Sequence, residues 1–453
     1  MNDPCILRRK DIFLGMICTM FFLDTVGPVA SMGASAITWS LIISLAFFFP
    51  SGLIMAEMGS SYPAEGGMYA WVKMAYGPRW SARMSWLYWV NNAIWIPSTC
   101  IFMVNVFCQI FLGDVGFLFQ LIMAVACIWC VVLFGLRPLR SATRLSNLSA
   151  ACKILIVAAM CFMALYYLRK GNAPANDLSL ASFLPRLDES FLFLSALVYN
   201  YLGFEVMSSM GNRMKNPRKD VPKATIANTF FISGLYVVTI FAILIVVPLD
   251  RMTIVDAIMD CFLLAPLSPT LTKTVVFIIG LIFLLVLFAQ AVTWISGAGR
   301  MAAVAAKDGE LPKVFGKMHT ANQVPMGALL ITGTVGTIIA IAYGLVARSA
   351  MELFWTLFSF TNIIFLIPYI INFQAYLKLK REKGRVKGAY HMFGPSMVGT
   401  VFARVEQLVL ILTIAVILFT PGKPLDITAC LGLFLGTSLV LLLGEYFIRH
   451  SSQ

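Results

Sequence analysis

Asp24, Glu205 and Lys153 all fall within long apolar runs, and the two acids sit beside residues that interrupt a helix, in Asp24-Thr25-Val26-Gly27-Pro28 and Gly203-Phe204-Glu205. An ionisable group inside a membrane-spanning segment costs at least a few kcal/mol, so it faces a polar cavity or a partner and marks an ion or substrate path. At each interruption the freed N–H groups of the following half-helix carry partial positive charge and suit a carboxylate, while the unpaired carbonyls of the preceding half-helix suit an ammonium. A zwitterionic amino acid satisfies both ends, so Asp24, Thr25, Gly27 and Gly203 are candidate substrate-binding residues. Asp24 either pairs with a substrate amine or caps the second half-helix. Glu205 serves substrate, a proton, or structure, for example by bonding the broken backbone of the first span. Lys153 either carries a coupling proton, or stands where a sodium ion would sit, or snorkels to the cytoplasmic edge about two turns away. Tyr199, next to the second interruption, and Trp294, near Gly297 to Arg300, are the aromatics singled out to line the site; Trp89, Trp95 and Tyr201 lie in the same region.

The elements that must position these residues are membrane helices. Of 453 residues, 60% are hydrophobic and 12% charged, against about 25% charged in soluble proteins. Apolar runs long enough to cross a ~30 Å hydrocarbon core number twelve: 12–31, 38–58, 84–111, 115–136, 148–168, 190–211, 225–249, 274–299, 327–347, 352–376, 405–421 and 427–448. The two interruptions open spans 1 to 5 and spans 6 to 10, which points to a five-plus-five inverted repeat with its site at the midplane. The expected chain is all-α: a cytoplasmic segment 1–11, repeats over 12–168 and 190–376, two further helices over 405–448, and a cytoplasmic tail 449–453.

Lys and Arg set the orientation. With the N-terminus inside, 26 of them fall in cytoplasmic segments and seven outside, leaving Lys153 in the membrane. Both termini are then cytoplasmic, in a multi-pass protein of the inner (plasma) membrane. The formal charge of +13 is spread over separate loops, which argues against nucleic acid as a partner. The ten cysteines lie mainly within spans, and Cys127 and Cys130 have no histidine or acid nearby, so packing is expected in place of metal or redox chemistry. His319, His391 and His450 fall in cytoplasmic segments. No metal or cofactor is expected. Asn147-Leu148-Ser149 matches a glycosylation sequon but lies at a cytoplasmic helix end. The first apolar run lacks a small-residue cleavage site and reads as a span, not a signal peptide.

Four segments resemble the amino acid–polyamine–organocation superfamily. They are Ala56-Glu57-Met58 with Pro63 to Trp71; Gly203-Phe204-Glu205 with Asn216-Pro217 and Asp220-Val221-Pro222; Arg144-Leu145-Ser146-Asn147; and Arg300 with Lys307 to Pro312. Gly77-Pro78-Arg79-Trp80, Trp95-Ile96-Pro97 and Trp294 are most similar to its glutamate/γ-aminobutyrate antiporter branch. The resemblance implies a LeuT-like fold, an aromatic gate at Tyr199, a gating or proton-coupling role for Glu205, and at Lys153 the lysine that replaces sodium in proton-linked relatives. Three departures stand out. The Gly-Ser-Gly motif of span 1 is replaced by Asp24 to Pro28. Arg213 stands where an acid often precedes Asn-Pro. The chain ends at Gln453, so the C-terminal plug of acid-resistance antiporters is expected to be absent.

The expected function is sodium-independent secondary transport of amino acids or related amines by alternating access, with exchange as the first mode. The alternatives are proton symport and, in another class, a non-transporting membrane sensor or scaffold. No cluster of acid, histidine and nucleophile suggests an enzyme. Partners are a small amino acid or amine, the lipid bilayer and, in the symport alternative, a proton; the oligomeric state is left open.

Overall fold

The computed structural model describes residues 7–113, 115–186, 193–208, 214–252, 257–347, 349–384, 386–392, 396–418 and 427–451. The first span breaks where its sequence says it should. Helix α1 (Arg9–Met20) gives way to extended backbone at Phe21 and Phe22, then to a 3₁₀ turn (Leu23–Thr25) and the short α2 (Val26–Ala30). Pro28 is tolerated because it lies in the first turn of α2, where its missing N–H has no intrahelical partner to lose. The chain then forms α3 (Ser35–Ile43), which runs through a π-helical turn (Ser44–Phe48) into α4 (Phe49–Ser61), followed by α5 (Met68–Tyr76), α6 (Pro78–Phe107), α7 (Phe117–Gly135) and α8 (Leu139–Arg169).

The second interruption lies between α9 (Leu194–Asn200) and α10 (Phe204–Ser208), where Gly203 adopts φ +128°. Residues 187–192 and 209–213 flank these pieces outside the described residues, and Arg213 with them. The remaining helices are α11 (Pro217–Val246), α12 (Ala257–Leu263), α13 (Pro269–Lys307), α14 (Met326–Gly344), α15 (Ala350–Lys383), α16 (Ser396–Leu418) and α17 (Ile427–Ser451). Among the described residues there is no strand, only an isolated bridge between Leu7 and Met214. Among the described residues eleven helices are long and apolar enough to cross a membrane, and the described part of the expected sixth span forms two short helices, α9 and α10. Two stretches expected as loop are helical, α5 and α12. Helix α13 extends beyond the expected 274–299 at both ends.

Helix α1 packs against α8, α11 and α13, and α6 against α13, α14 and α15. The break in α1 is therefore surrounded by three long, continuous helices. Helices α16 and α17 sit at the edge and turn apolar side chains outward, including Leu408, Ile411, Phe434 and Leu442. That surface suits lipid, where a helix satisfies its own backbone.

Helix α5 is tied to the end of α13 by charge. Lys73 Nζ lies 2.8 Å from Asp308 Oδ2 and 2.6 Å from Glu310 Oε1, and the Tyr69 hydroxyl donates to Asp308 at 2.8 Å. Burial alone would raise the Asp308 carboxyl, but hydrogen bonds from Lys73 and Tyr69 outweigh it and hold it below its ordinary value. For Lys73 burial acts downward, yet its bonds with Asp308 and Glu310 outweigh that and raise it. A depressed acid contributes stability above its unfolded pKa and loses it as pH falls through the folded one. A raised lysine contributes below its unfolded pKa and loses it as pH rises through the folded one. This tie is thus at full strength from about pH 5 to 9. Lys73→Ala is expected to speed amide hydrogen exchange over Ala303 to Glu310 at pH 7; unchanged exchange there would show that the ion pair does not hold the two segments together.

Candidate substrate site at the broken helices

Ending a helix in the membrane leaves carbonyls without intrahelical partners, and each must find a donor. At the end of α1 the donors come from three other helices. Lys153 of α8 donates to the carbonyls of Cys18 (2.7 Å) and Phe21, and to Gln290 Oε1 of α13 (2.6 Å). Trp294 of α13 donates its indole N–H to the Thr19 carbonyl at 3.1 Å. Tyr236 of α11 donates to the Met20 carbonyl at 2.9 Å and accepts from the Phe22 N–H at 2.8 Å. The ammonium also meets the negative end of the α1 dipole.

Three expectations are corrected by this arrangement. Lys153 is fully buried and reaches inward to α1, so it does not snorkel to the membrane edge. The carbonyls expected to receive a substrate ammonium are already occupied by Lys153, Trp294 and Tyr236. Nor does Glu205 bond the broken backbone of the first span. Its carboxylate accepts from the hydroxyls of Tyr88 on α6 (2.5 Å) and Tyr369 on α15.

The two breaks meet. Thr25 donates to Asn200 Oδ1 at 2.7 Å, joining the 3₁₀ turn to the end of α9. Tyr199 lies 5.8 Å from Phe22, ring centre to ring centre, and 5.1 Å from Phe365. Trp294 lies 6.1 Å from Phe22, 6.0 Å from Trp95 and 5.6 Å from Phe365. These rings form one aromatic cluster, with Trp294 against Gly203 and Phe22 at the break that carries Asp24 and Thr25. Gly27 is buried within α2, one turn on.

Asp24 is only 4% exposed, and its Oδ1 has no hydrogen-bond partner among the described residues; the same holds for Asn200 Nδ2 and Gln290 Nε2. No side-chain cap bond is made at the start of α2. The two breaks thus hold buried polar atoms of both kinds, an acceptor on Asp24 and donors on Asn200 and Gln290, without a partner among the described residues.

Gly203 is held in place by both geometry and neighbours. A Cβ there would lie 3.1 Å from Met20 Cγ, 3.2 Å from Trp294 Cζ2 and 3.5 Å from the Thr19 carbonyl oxygen, at a φ that side chains rarely adopt. Gly203→Ala is expected to cost about 1–3 kcal/mol of stability and to displace Trp294. Quenched or shifted Trp294 fluorescence, measured in a background in which the other eight of the nine tryptophans are replaced, would report it, and an unchanged melting curve would contradict it.

Sequence reasoning placed Asp24, Thr25, Gly203, Tyr199, Trp294 and Lys153 in one region but missed Tyr236, Asn200, Gln290, Tyr88, Tyr369, Phe22 and Phe365. Gln290 carried a usable signal, since it lies four residues before Trp294 and so on the same face of α13. Tyr236 carried none.

Residues 12–439 match a family model described as amino acid permease. The chain is 30% identical to the probable agmatine/putrescine antiporter AguD of Lactococcus lactis, over 97% of this chain and 94% of that protein. It is 25% identical to an uncharacterized transporter of Legionella pneumophila, over 83% and 81% of the two chains. The inner membrane transporter YjeM of Salmonella typhimurium is 26% identical over 51% of each. Matched along nearly its whole length and built of long apolar helices around two broken ones, this chain belongs to the amino acid permease family of the amino acid–polyamine–organocation superfamily, as a multi-pass membrane transporter.

Proposed function

We propose that the protein is a sodium-independent antiporter that exchanges amine-bearing amino acids or the amines derived from them, by alternating access, across the plasma membrane. The observation that carries this reading is the occupancy of the α1 break. Lys153 supplies there the positive charge that a sodium ion would otherwise bring, and Trp294 and Tyr236 take two more carbonyls. Asp24 Oδ1, at the break, is a carboxylate oxygen without a partner among the described residues, the acceptor best matched to an incoming ammonium. Of the two roles open to Asp24, substrate pairing is therefore favoured over capping. The likeness to a probable agmatine/putrescine antiporter supports both an amine as cargo and exchange as mode, and it favours amines over the glutamate of the branch that the motifs resemble.

In this reading residues 12–168 and 190–376 are the two inverted repeats, each opened by a broken helix, and 405–448 adds two peripheral helices. Segments 1–11 and 449–453 face the cytoplasm, as the distribution of Lys and Arg favours. Tyr199 closes over the ligand and Trp294 lines its path, with Thr25, Gly27 and Gly203 shaping the backbone around it.

Uptake of labelled amino acids and amines into proteoliposomes, preloaded or empty, tests the mode. Uptake that requires preloading is the expected result, and equal uptake into empty vesicles would overturn exchange. Proton symport is the second reading, favoured by a Glu205 carboxylate bonded to two tyrosines and to no cation among the described residues. Loss of uptake into empty vesicles on adding an uncoupler would support it.

A further inference from the structure

Between α5, α15 and α16 lies an open cavity of about 370 Å³, within the ~300–1,000 Å³ range of small-molecule sites. Lys378, Lys380 and Arg381 from the last turns of α15 and Arg404 from α16 line it, and no carboxylate does. The nearest acids compensate only in part. Glu382 lies 3.9 Å from Lys378 and 3.7 Å from Arg381, and Glu57 lies 4.0 Å from Lys380. Arg404 Nη1 donates to the neutral amides Gln374 (3.1 Å) and Gln407 (2.9 Å), which leaves its charge without a carboxylate partner among the described residues. Four basic groups around one cavity favour a multivalent anion, and a guanidinium beside ammonium groups suits phosphate oxygens.

A soluble anion would use only the polar half of this surface. Beyond Arg404 the outward face of α16 is apolar, where Leu408, Ile411 and Leu412 are 55%, 53% and 53% exposed. Those side chains are placed to meet acyl chains while the headgroup reaches the basic residues.

We propose that this cavity binds the headgroup of an anionic phospholipid, with its phosphate between Lys378 and Arg404 and its acyl chains along α16. The bound lipid braces the tie between α5 and the bundle. Tyr76, the last residue of α5, donates to the Gln374 carbonyl at 3.3 Å, and the Lys378 ammonium lies 4.6 Å from the centre of its ring. A phosphate held by Lys378 and Arg404 therefore links α5, α15 and α16, on the helix that also carries Lys73. The choice of the inner leaflet rests on the orientation proposed above.

The test is thermal unfolding of the purified full-length protein in neutral detergent with added phosphatidylglycerol, phosphatidylcholine or millimolar inorganic phosphate. Phosphatidylglycerol is expected to raise the apparent melting temperature by on the order of 5 °C, with no shift from phosphatidylcholine or phosphate. At the lipid concentration that half-saturates the wild type, the double variant Lys378→Gln, Arg404→Gln is expected to show almost no shift while melting like the wild type without lipid, and Lys378→Arg is expected to keep it. Each basic residue near an anionic lipid strengthens binding roughly fivefold, so the midpoint of the lipid titration should move by about 25-fold in the double variant. An equal shift from inorganic phosphate would make this a soluble-anion site and overturn the lipid proposal. So would an undiminished shift in the double variant, or no shift in the wild type. Micelles expose both faces, so these outcomes do not depend on orientation. Sidedness is read separately by labelling Lys378→Cys with an impermeant maleimide. Labelling only after cells are opened is expected; labelling in intact cells would overturn the cytoplasmic placement and leave the lipid site standing.

Discussion

Lys153→Ala is expected to reduce uptake at least 100-fold and to lower the melting temperature markedly. The substitution removes the donor from two backbone carbonyls, Cys18 and Phe21, and from Gln290 Oε1, all of them in the buried centre of the protein. Each buried acceptor left without a partner costs about 1–3 kcal/mol, so the sum is on the order of 5 kcal/mol before water or side chains relax into the gap. That is comparable with the whole stability of many folded proteins, about 5–15 kcal/mol. The break in α1 exists only because something else holds its carbonyls, and without Lys153 the half-helices lose the geometry that presents Asp24. Lys153→Met separates bonding from bulk, since it keeps most of the volume and none of the donors. Initial uptake rates and melting curves of both variants decide the matter. Transport by Lys153→Ala at the wild-type rate across the pH range would remove Lys153 from both coupling and site structure.

The second large effect concerns ligand choice. Asp24→Asn keeps the shape of the side chain and removes its charge. Losing one partner of a buried charged pair costs about 2–5 kcal/mol, which corresponds to a fall in affinity of roughly 30- to 5,000-fold. The loss should be selective: amines and amino acids competing through an ammonium suffer it, and the melting temperature changes little because Asp24 Oδ1 bonds to no described residue. Competition by a panel of amines and amino acids against a labelled substrate measures the profile. An unaltered profile in Asp24→Asn would sink the assignment of Asp24 to the substrate amine.

These two residues were visible in the sequence for different reasons. Asp24 stands out because a carboxylate next to Gly and Pro both breaks a helix and has to be solvated or paired. Lys153 stands out because it is the lysine or arginine left inside a span once the others are assigned to loops. Other buried acids were given no chemical role, although Glu57 lies in a segment that carries the family resemblance. Glu57 bonds Tyr376 at 2.9 Å and lies 3.2 Å from His391, and Glu406 accepts from Ser51 at 2.6 Å. Both fall inside expected spans, but neither sits beside a helix-breaking glycine that would single it out from its surroundings. Helix α5 was read as loop because it is too short to span and belongs to a charged connection.

What the sequence determined by itself is everything that depends on local composition: a membrane protein, the places of its apolar helices, though α8, α11, α13, α15 and α16 run well beyond the expected bounds, and the two places where helices must break. Hydropathy and backbone chemistry act over a turn or two, so they can be read along the chain. The tertiary structure alone decided which groups meet. The donors that complete the α1 break come from residues 132 to 275 positions away in the chain, and Glu205 finds its tyrosines 117 and 164 positions away. Those pairings depend on the rotation of each helix about its axis and on its depth beside its neighbours, quantities that the packing of the whole bundle sets and that no single span encodes.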